Sequence, residues 1–145
     1  WELAARSGTT SDFWTGQGSA LGGTYSSNDC DSNVTIQDGT SSPPLLGEYA
    51  WFCGNSNSTQ QVRTKLPNGF GLYDMHGNMW EWTGDWYCSS YPQSTTDPRC
   101  ETGSNRVTRG GAWSDYPRHM EPSYRSSNGP LTRQSTIGFR IGLHP

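Results

Sequence analysis

The stretch NGFGLYDMHGNMWEWTGDWY, Asn68 to Tyr87, is the most informative part of this chain. Gly69, Gly71 and Gly77 punctuate its first half as turns, and Trp80, Trp82 and Trp86 follow at even spacing. Asn78-Met79-Trp80-Glu81-Trp82 is the densest apolar segment in the sequence, so the core is expected to concentrate here. The three tryptophans are read as a shared core face rather than as a sugar-stacking platform, because large rings are the cheapest way to bury area in a polar chain.

Toward the N-terminus, Trp1 to Arg6 reads as the end of a helix stopped by Ser7-Gly8. From Gly8 to Gly47 the chain is Gly, Ser, Thr, Asn and Asp around isolated Phe13, Trp14 and Tyr25, and long loops are expected there. Glu48 to Phe52 fits either a strand or a buried loop. Toward the C-terminus, a polar linker with Pro92 and Pro98 leads to Arg106-Val107-Thr108-Arg109, Gly110-Gly111 and Trp113. The alternating run Thr136 to Leu143 reads as a terminal strand.

The chain has 145 residues, a net charge of -3 and 30% hydrophobic residues, with a mean hydropathy of -0.82. That polarity leans toward disorder, but seven Trp, seven Tyr and four Phe can nucleate a core, so one aromatic-cored domain over residues 1–145 is expected. The basic residues form no run that would track a phosphate backbone, which argues against nucleic acid. No apolar stretch approaches the roughly 20 residues of a membrane span. Cys30, Cys53, Cys88 and Cys100 lack zinc spacing. Two disulfides in an oxidising compartment are expected; three connectivities are open, and proximity in sequence favours Cys30 with Cys53 and Cys88 with Cys100. Asn33-Val34-Thr35 and Asn57-Ser58-Thr59 match a glycosylation tripeptide common by chance in so Asn- and Ser-rich a chain.

Three blocks taken together, WELAARSG, the central stretch and RVTRGGAW...YR...P..R...IGFR from Arg106 to Arg140, resemble the formylglycine-generating-enzyme (sulfatase-modifying-factor) family. The resemblance implies an α+β, C-type-lectin-like fold with little regular secondary structure, short antiparallel strands and long loops. It also implies that an N-terminal part of the usual domain is missing. The terminal strand, Gly138 to Leu143, would then lack its usual partner, and an unpaired strand invites a second polypeptide.

The family's enzymes oxidise a substrate cysteine to formylglycine with copper held by two cysteines. Here the matching positions are Asp115 and Met120. A carboxylate and a thioether cannot form the bis-thiolate site that soft copper(I) prefers, so no copper and no oxidase activity are expected. Iron chemistry of a related sulfoxide-synthase branch is not expected either, since His76, His119 and His144 suggest no metal triad. The resemblance further implies a structural calcium site at Asp74, Gly77, Met79 and Glu81, two carboxylates and two carbonyls suited to a hard cation. The alternative is that Asp74 caps a turn and Glu81 pairs with an arginine such as Arg109. Arg109, Arg125, Arg133 and Arg140 are expected to tie loops together, and Asp85 to serve a turn or salt bridge.

With the cysteines gone, the expected function is non-catalytic: an extracytoplasmic display domain binding a protein or glycan ligand. Its face is expected within 114–136, through Ser114, Asp115, Tyr116, Arg118, His119, Met120 and Tyr124. Alternatives are a structural or assembly subunit, an accessory domain of a larger enzyme, and a variable protein of a diversity-generating retroelement. In such a variable protein, Ser114, Asp115, Tyr116, His119, Ser126, Ser127, Gly129, Thr132, Ser135 and Thr136 would stand at rewritten codons.

Overall fold

A computed structural model of the chain describes residues 1–11, 13–15, 21–22, 30–36, 40–90 and 98–142. Tyr25, Pro92, Leu143 and His144, which the sequence reading used, lie outside them.

The helix Glu2–Arg6 (α1) ends as its sequence dictates. Ser7 turns left-handed at φ 53° and Gly8 follows at φ 84°. Asn68, the first residue of the central stretch, completes that end. Its Nδ2 donates to the carbonyls of Ala4 at 2.8 Å and Ala5 at 3.3 Å, while its Oδ1 accepts the amides of Phe70 and Leu72. Otherwise orphaned helix carbonyls are satisfied by a buried side chain, which locks the helix to the central stretch.

The strands are short: β1 Leu21–Gly22, β2 Thr35–Ile36, β3 Ala50–Trp51, β4 His76–Gly77, β5 Trp80–Trp86, β6 Arg106–Arg109, β7 Ser126–Asn128 and β8 Ile137–Gly138. β1 pairs antiparallel with β2, and β3 pairs parallel with β4. The largest sheet runs β7-β6-β5-β8; β6 is antiparallel to both neighbours, and β8 lies parallel to β5, with Ile137 opposite Trp80. Two 3-10 turns, Leu46–Glu48 and Pro117–Met120, complete an α+β architecture.

Three expectations are corrected. The Gly8 to Gly47 region is not loop alone, because β1 and β2 form a ladder within it. The terminal strand is not Gly138 to Leu143 but Ile137–Gly138, and it is paired, to β5. Beyond it Phe139 and Ile141 are 76% and 77% exposed, with nothing beneath them to fix a longer strand. Finally, the buried apolar cluster does not centre on the tryptophans. It comprises Phe13, Val34, Ile36, Leu46, Ala50, Phe52 and Met120, drawn largely from the polar-looking N-terminal half. Of the three tryptophans only Trp80 is buried; Trp86 instead lies under the Arg106 guanidinium, 3.6 Å from its ring centroid.

Cys30 bonds Cys53 and Cys88 bonds Cys100, the pairing that sequence proximity favoured. The first bridge ties the segment before β2 to the end of β3, across the apolar cluster. Lys65 covers the other side of β3: its Nζ lies 3.7 Å from the Trp51 ring centroid and donates to the Gly47 carbonyl. Burial lowers its pKa, with Glu48 partly offsetting the shift.

Two glycines are demanded by close approach. A Cβ on Gly77 (φ 76°) would fall 2.2 Å from the Trp51 carbonyl oxygen, and one on Gly111 (φ 74°) would fall 2.5 Å from Met120 Cε. Neither neighbour of Gly77 could yield, since the obstacle is backbone. Between these contacts sits His76. Its Nδ1 faces the Met120 carbonyl at 2.8 Å and its ring tilts against Phe13, centroids 5.1 Å apart. A carbonyl only accepts, so Nδ1 carries the proton and Nε2 is buried bare, without a partner among the described residues.

Burial pushes the pKa of His76 down to about 4, the bond to Met120 offsetting part of the shift. The unfolded chain takes up a proton below its ordinary value of 6.5, whereas the folded chain does not until about 4. Stability is therefore complete above 6.5 and is lost as pH falls through that window, by about 1.4 kcal/mol per pH unit. Urea unfolding at pH 5 should give a free energy about 2 kcal/mol below that at pH 7, and His76→Gln should remove this part of the dependence.

Candidate functional site

The predicted calcium residues do come together. Asp74, Gly77, Met79 and Glu81 all line one cavity of about 490 Å³, alongside Arg63, Leu72, Tyr73, Phe139 and Arg140. The turn that brings them there is held by backbone accounting. Asp74 and Asn78 take left-handed backbones at φ 55° and 64°, which short polar side chains tolerate. Asp74 Oδ2 accepts the Arg63 amide at 2.8 Å. Asn78 donates its amide to the Trp51 carbonyl, accepts the Trp113 amide on its own carbonyl, and pairs its side chain with both backbone groups of Gln60.

Glu81 is 7% exposed, and its carboxylate is bound on both oxygens. Oε1 accepts Arg140 Nη2 at 2.7 Å; Oε2 accepts Arg140 Nε at 3.0 Å and Trp1 Nε1 at 2.7 Å. Arg140 Nη2 also reaches the carbonyls of Tyr73 at 2.9 Å and Asp74 at 3.1 Å. Glu81 does pair with an arginine, as the alternative reading had it, but that arginine is Arg140 rather than its example, Arg109. Arg109 instead bonds Glu2 at 2.9 Å and the carbonyls of Pro122 and Tyr124. The β5–β6 register explains the difference: Glu81 and Arg109 are paired across the ladder, yet each side chain takes a partner from another element. Sequence reasoning missed Trp1 and Arg140 as Glu81 ligands; Arg140 closes the quoted motif, but no local spacing points from it to Glu81.

The four residues fit a hard divalent cation in kind. Carboxylate and carbonyl oxygens keep a second lone pair after accepting one hydrogen bond, so neither the Arg63 amide on Asp74 nor the Met79 amide on the Gly77 carbonyl at 2.8 Å exhausts them. Glu81 is more fully used: Oε2 accepts two bonds and Oε1 one, so a cation there would share the carboxylate with Arg140 or replace it. The four supply fewer donors than the six to eight that calcium takes, leaving the rest to water or other oxygens. Among the described residues there is no group of three or more His, Cys, Asp or Glu side chains that could hold a metal ion, so an ion here would depend on backbone carbonyls beside its two carboxylates.

The second candidate face is the segment after Gly111. Asp115 is its hub: Oδ2 accepts Trp80 Nε1 at 2.7 Å and the Ala112 amide at 3.0 Å, and Oδ1 lies 3.2 Å from His119 Nδ1 without hydrogen-bond alignment. Arg118 Nε donates to His119 Nε2 at 3.1 Å. The His119 ring packs against Tyr124 at 4.6 Å, and Trp80 and Tyr116 border the group at 6.0 to 6.1 Å. Ser114 and Tyr116 are exposed, and Arg118 and Tyr124 are half-buried. Met120 does not belong to this face. It is 0% exposed in the apolar cluster, because the 3-10 turn Pro117–Met120 points it inward against Gly111. Asp115 and Met120 therefore diverge, one toward the face and one into the core.

Comparison with known proteins yields a consistent family. The model of the sulfatase-modifying factor enzyme 1-like domain matches residues 1–143. The formylglycine-generating enzyme of Thermomonospora curvata is 36% identical over 60% of this chain and 32% of its own length; that of Streptomyces coelicolor is 39% identical over 57% of this chain and 28% of its own. The chain thus spans about a third of these relatives. Among solved structures, Treponema denticola variable protein 1 superposes with a TM-score of 0.58 at 37% identity, covering 65% of this chain and 35% of that one. PvdO of Pseudomonas aeruginosa shares the fold, with a TM-score of 0.66 over 95% of this chain and 47% of that one at 24% identity. The fold is α+β and C-type-lectin-like, as the resemblance implied.

Proposed function

The chain belongs to the sulfatase-modifying factor enzyme 1-like family, and from that premise we propose that it serves as a non-catalytic ligand-binding domain, with its binding face at Ser114, Asp115, Tyr116, Arg118, His119 and Tyr124. The observation that carries this reading is the fate of the two positions matching the family's copper cysteines. Asp115 is committed to Trp80 and the Ala112 amide, while Met120 is buried in the core. A carboxylate and a buried thioether supply neither thiolate nor redox exchange. In their place stand residue types that dominate binding energy at interfaces, a half-buried Tyr, an Arg and a Trp held rigidly by hydrogen bonds.

The ligand of this reading is a protein or a glycan, and two disulfides support an encounter in an oxidising, extracytoplasmic compartment. No helix among the described residues is long and apolar enough to cross a membrane. The exposed run after β8, with Phe139 and Ile141, supports the reading that a second polypeptide pairs beyond Gly138, which is itself taken up by β5. A sulfatase-derived cysteine peptide incubated with the protein and copper should show no conversion to formylglycine. A glycan and peptide array should give a binder that the Tyr116→Ala, Arg118→Ala double variant loses at unchanged melting temperature. Formylglycine formation would overturn the proposal.

Calcium is proposed as a structural ion at Asp74, Gly77, Met79 and Glu81. When bound it would supply charge that ties the turn to β5; the chain's own residues orient the oxygens. Chelator should lower the melting temperature by several degrees, and Asp74→Asn, which suits the left-handed backbone and keeps an acceptor for the Arg63 amide, should abolish that response. An unchanged melt in excess chelator would remove the ion from the structure.

A second reading is favoured by the likeness to Treponema denticola variable protein 1 at 37% identity: the chain is a variable protein whose 114–136 segment is diversified. Sequencing the locus across many cells should then show substitutions confined to that segment, with Arg109 to Trp113 and Ile137 to Arg140 constant. Uniform sequence would leave a fixed binding or assembly module.

A further inference from the structure

The cavity at Glu81 already holds a cation, and that cation belongs to the chain. Arg140 grips both carboxylate oxygens, at 2.7 and 3.0 Å, and two backbone carbonyls of the same turn, at 2.9 and 3.1 Å. This is the fork geometry that makes guanidinium pairs strong. The two partners are unequally anchored. Glu81 sits within β5, its side chain 9% exposed, whereas the Arg140 side chain is 33% exposed and extends from the short segment beyond β8. The flanking Phe139 and Ile141 are largely exposed, and Gly142 has open space where a side chain would be. Arg140 can therefore withdraw toward solvent without disturbing the apolar cluster.

We infer that Arg140 is an internal competitor for the cation seat at Glu81, closing it when divalent metal is scarce and being displaced when calcium enters. This rests on the calcium reading given above. A divalent ion on Glu81, whose side chain is 9% exposed, would stand beside the guanidinium, and like charges at that range repel. Arginine cannot relieve that repulsion by losing its proton. Relief comes by movement, and the mobile partner is the one at the surface. Trp1 Nε1, which is neutral, can keep its bond to Oε2 throughout. Two consequences follow. The affinity for calcium is set by the work of displacing Arg140, and the segment 139–142 is released as calcium binds, linking the ion to the edge exposed after β8.

The test compares calcium chloride titrations by calorimetry of the chelator-stripped full chain with those of Arg140→Gln and Arg140→Lys. Hydrogen exchange of wild-type 139–142 with and without calcium is followed in parallel. Arg140→Gln should bind on the order of tenfold more tightly, the usual size of a coupling between two sites. Arg140→Lys, which keeps the charge, should stay near wild type, and exchange at 139–142 should quicken with calcium. Equal affinity of wild type and Arg140→Gln would overturn the competition while leaving the ion in place. Absence of binding heat in all three would overturn the calcium reading itself. Should Arg140→Gln prove unfolded, the wild-type exchange decides: unchanged protection at 139–142 with saturating calcium overturns the inference.

Discussion

The contact on which the rest of the molecule turns is the passage of Gly77 against the carbonyl of Trp51. At that crossing a side chain of any size would strike backbone, and the approach lets Gly77 donate its amide to the Gly110 carbonyl and Asn78 its own to Trp51. Asn78 then uses every polar group it has, taking the Trp113 amide on its carbonyl and pairing its side chain with Gln60. One turn thus joins β3, β4, the loop near residue 60 and the start of the segment that carries Asp115. In a chain with so little regular structure, such side-chain and turn bonds must meet the buried backbone demand that long ladders meet elsewhere.

Electrostatics follow the same economy. Two arginine–carboxylate pairs, buried Arg109 with half-buried Glu2 and surface-reaching Arg140 with buried Glu81, connect α1, β5, β6 and the segment after β8. Each arginine also donates to backbone carbonyls, so a guanidinium serves as counter-ion and loop clamp at once. Because a buried pair costs desolvation, its value lies less in stability than in fixing one arrangement. At Glu81 the arrangement leaves the partner at the surface. At Asp115 the carboxylate is held instead by neutral donors, the Trp80 indole and the Ala112 amide.

Much of this was legible in the residues. Ser7-Gly8 announced the helix stop and nearest-neighbour cysteines paired, whereas the central stretch showed its apolar density without revealing that Trp80–Trp86 is a strand. Asp74, Gly77, Met79 and Glu81 also line one cavity, since eight consecutive residues around a left-handed turn have little freedom to do otherwise. The core was misplaced because aromatic density is not burial: Trp82 and Trp86 are spread along a strand with an irregular register and a partly open face, while Val34, Ile36 and Leu46, isolated in polar sequence, are drawn together by β1–β2 pairing and the Cys30–Cys53 bridge.

By itself the sequence determined the family, the α+β class, the turn chemistry and the loss of the copper thiolates, because each depends on residue identity at short spacing. Tertiary structure alone decided that Met120 is core while Asp115 faces outward, and that Glu81 answers to Arg140 and Trp1 rather than to Arg109. Those outcomes depend on which distant segments are brought within hydrogen-bond reach. No local pattern encodes contacts between residues 59 and 80 positions apart, as Glu81 is from Arg140 and Trp1.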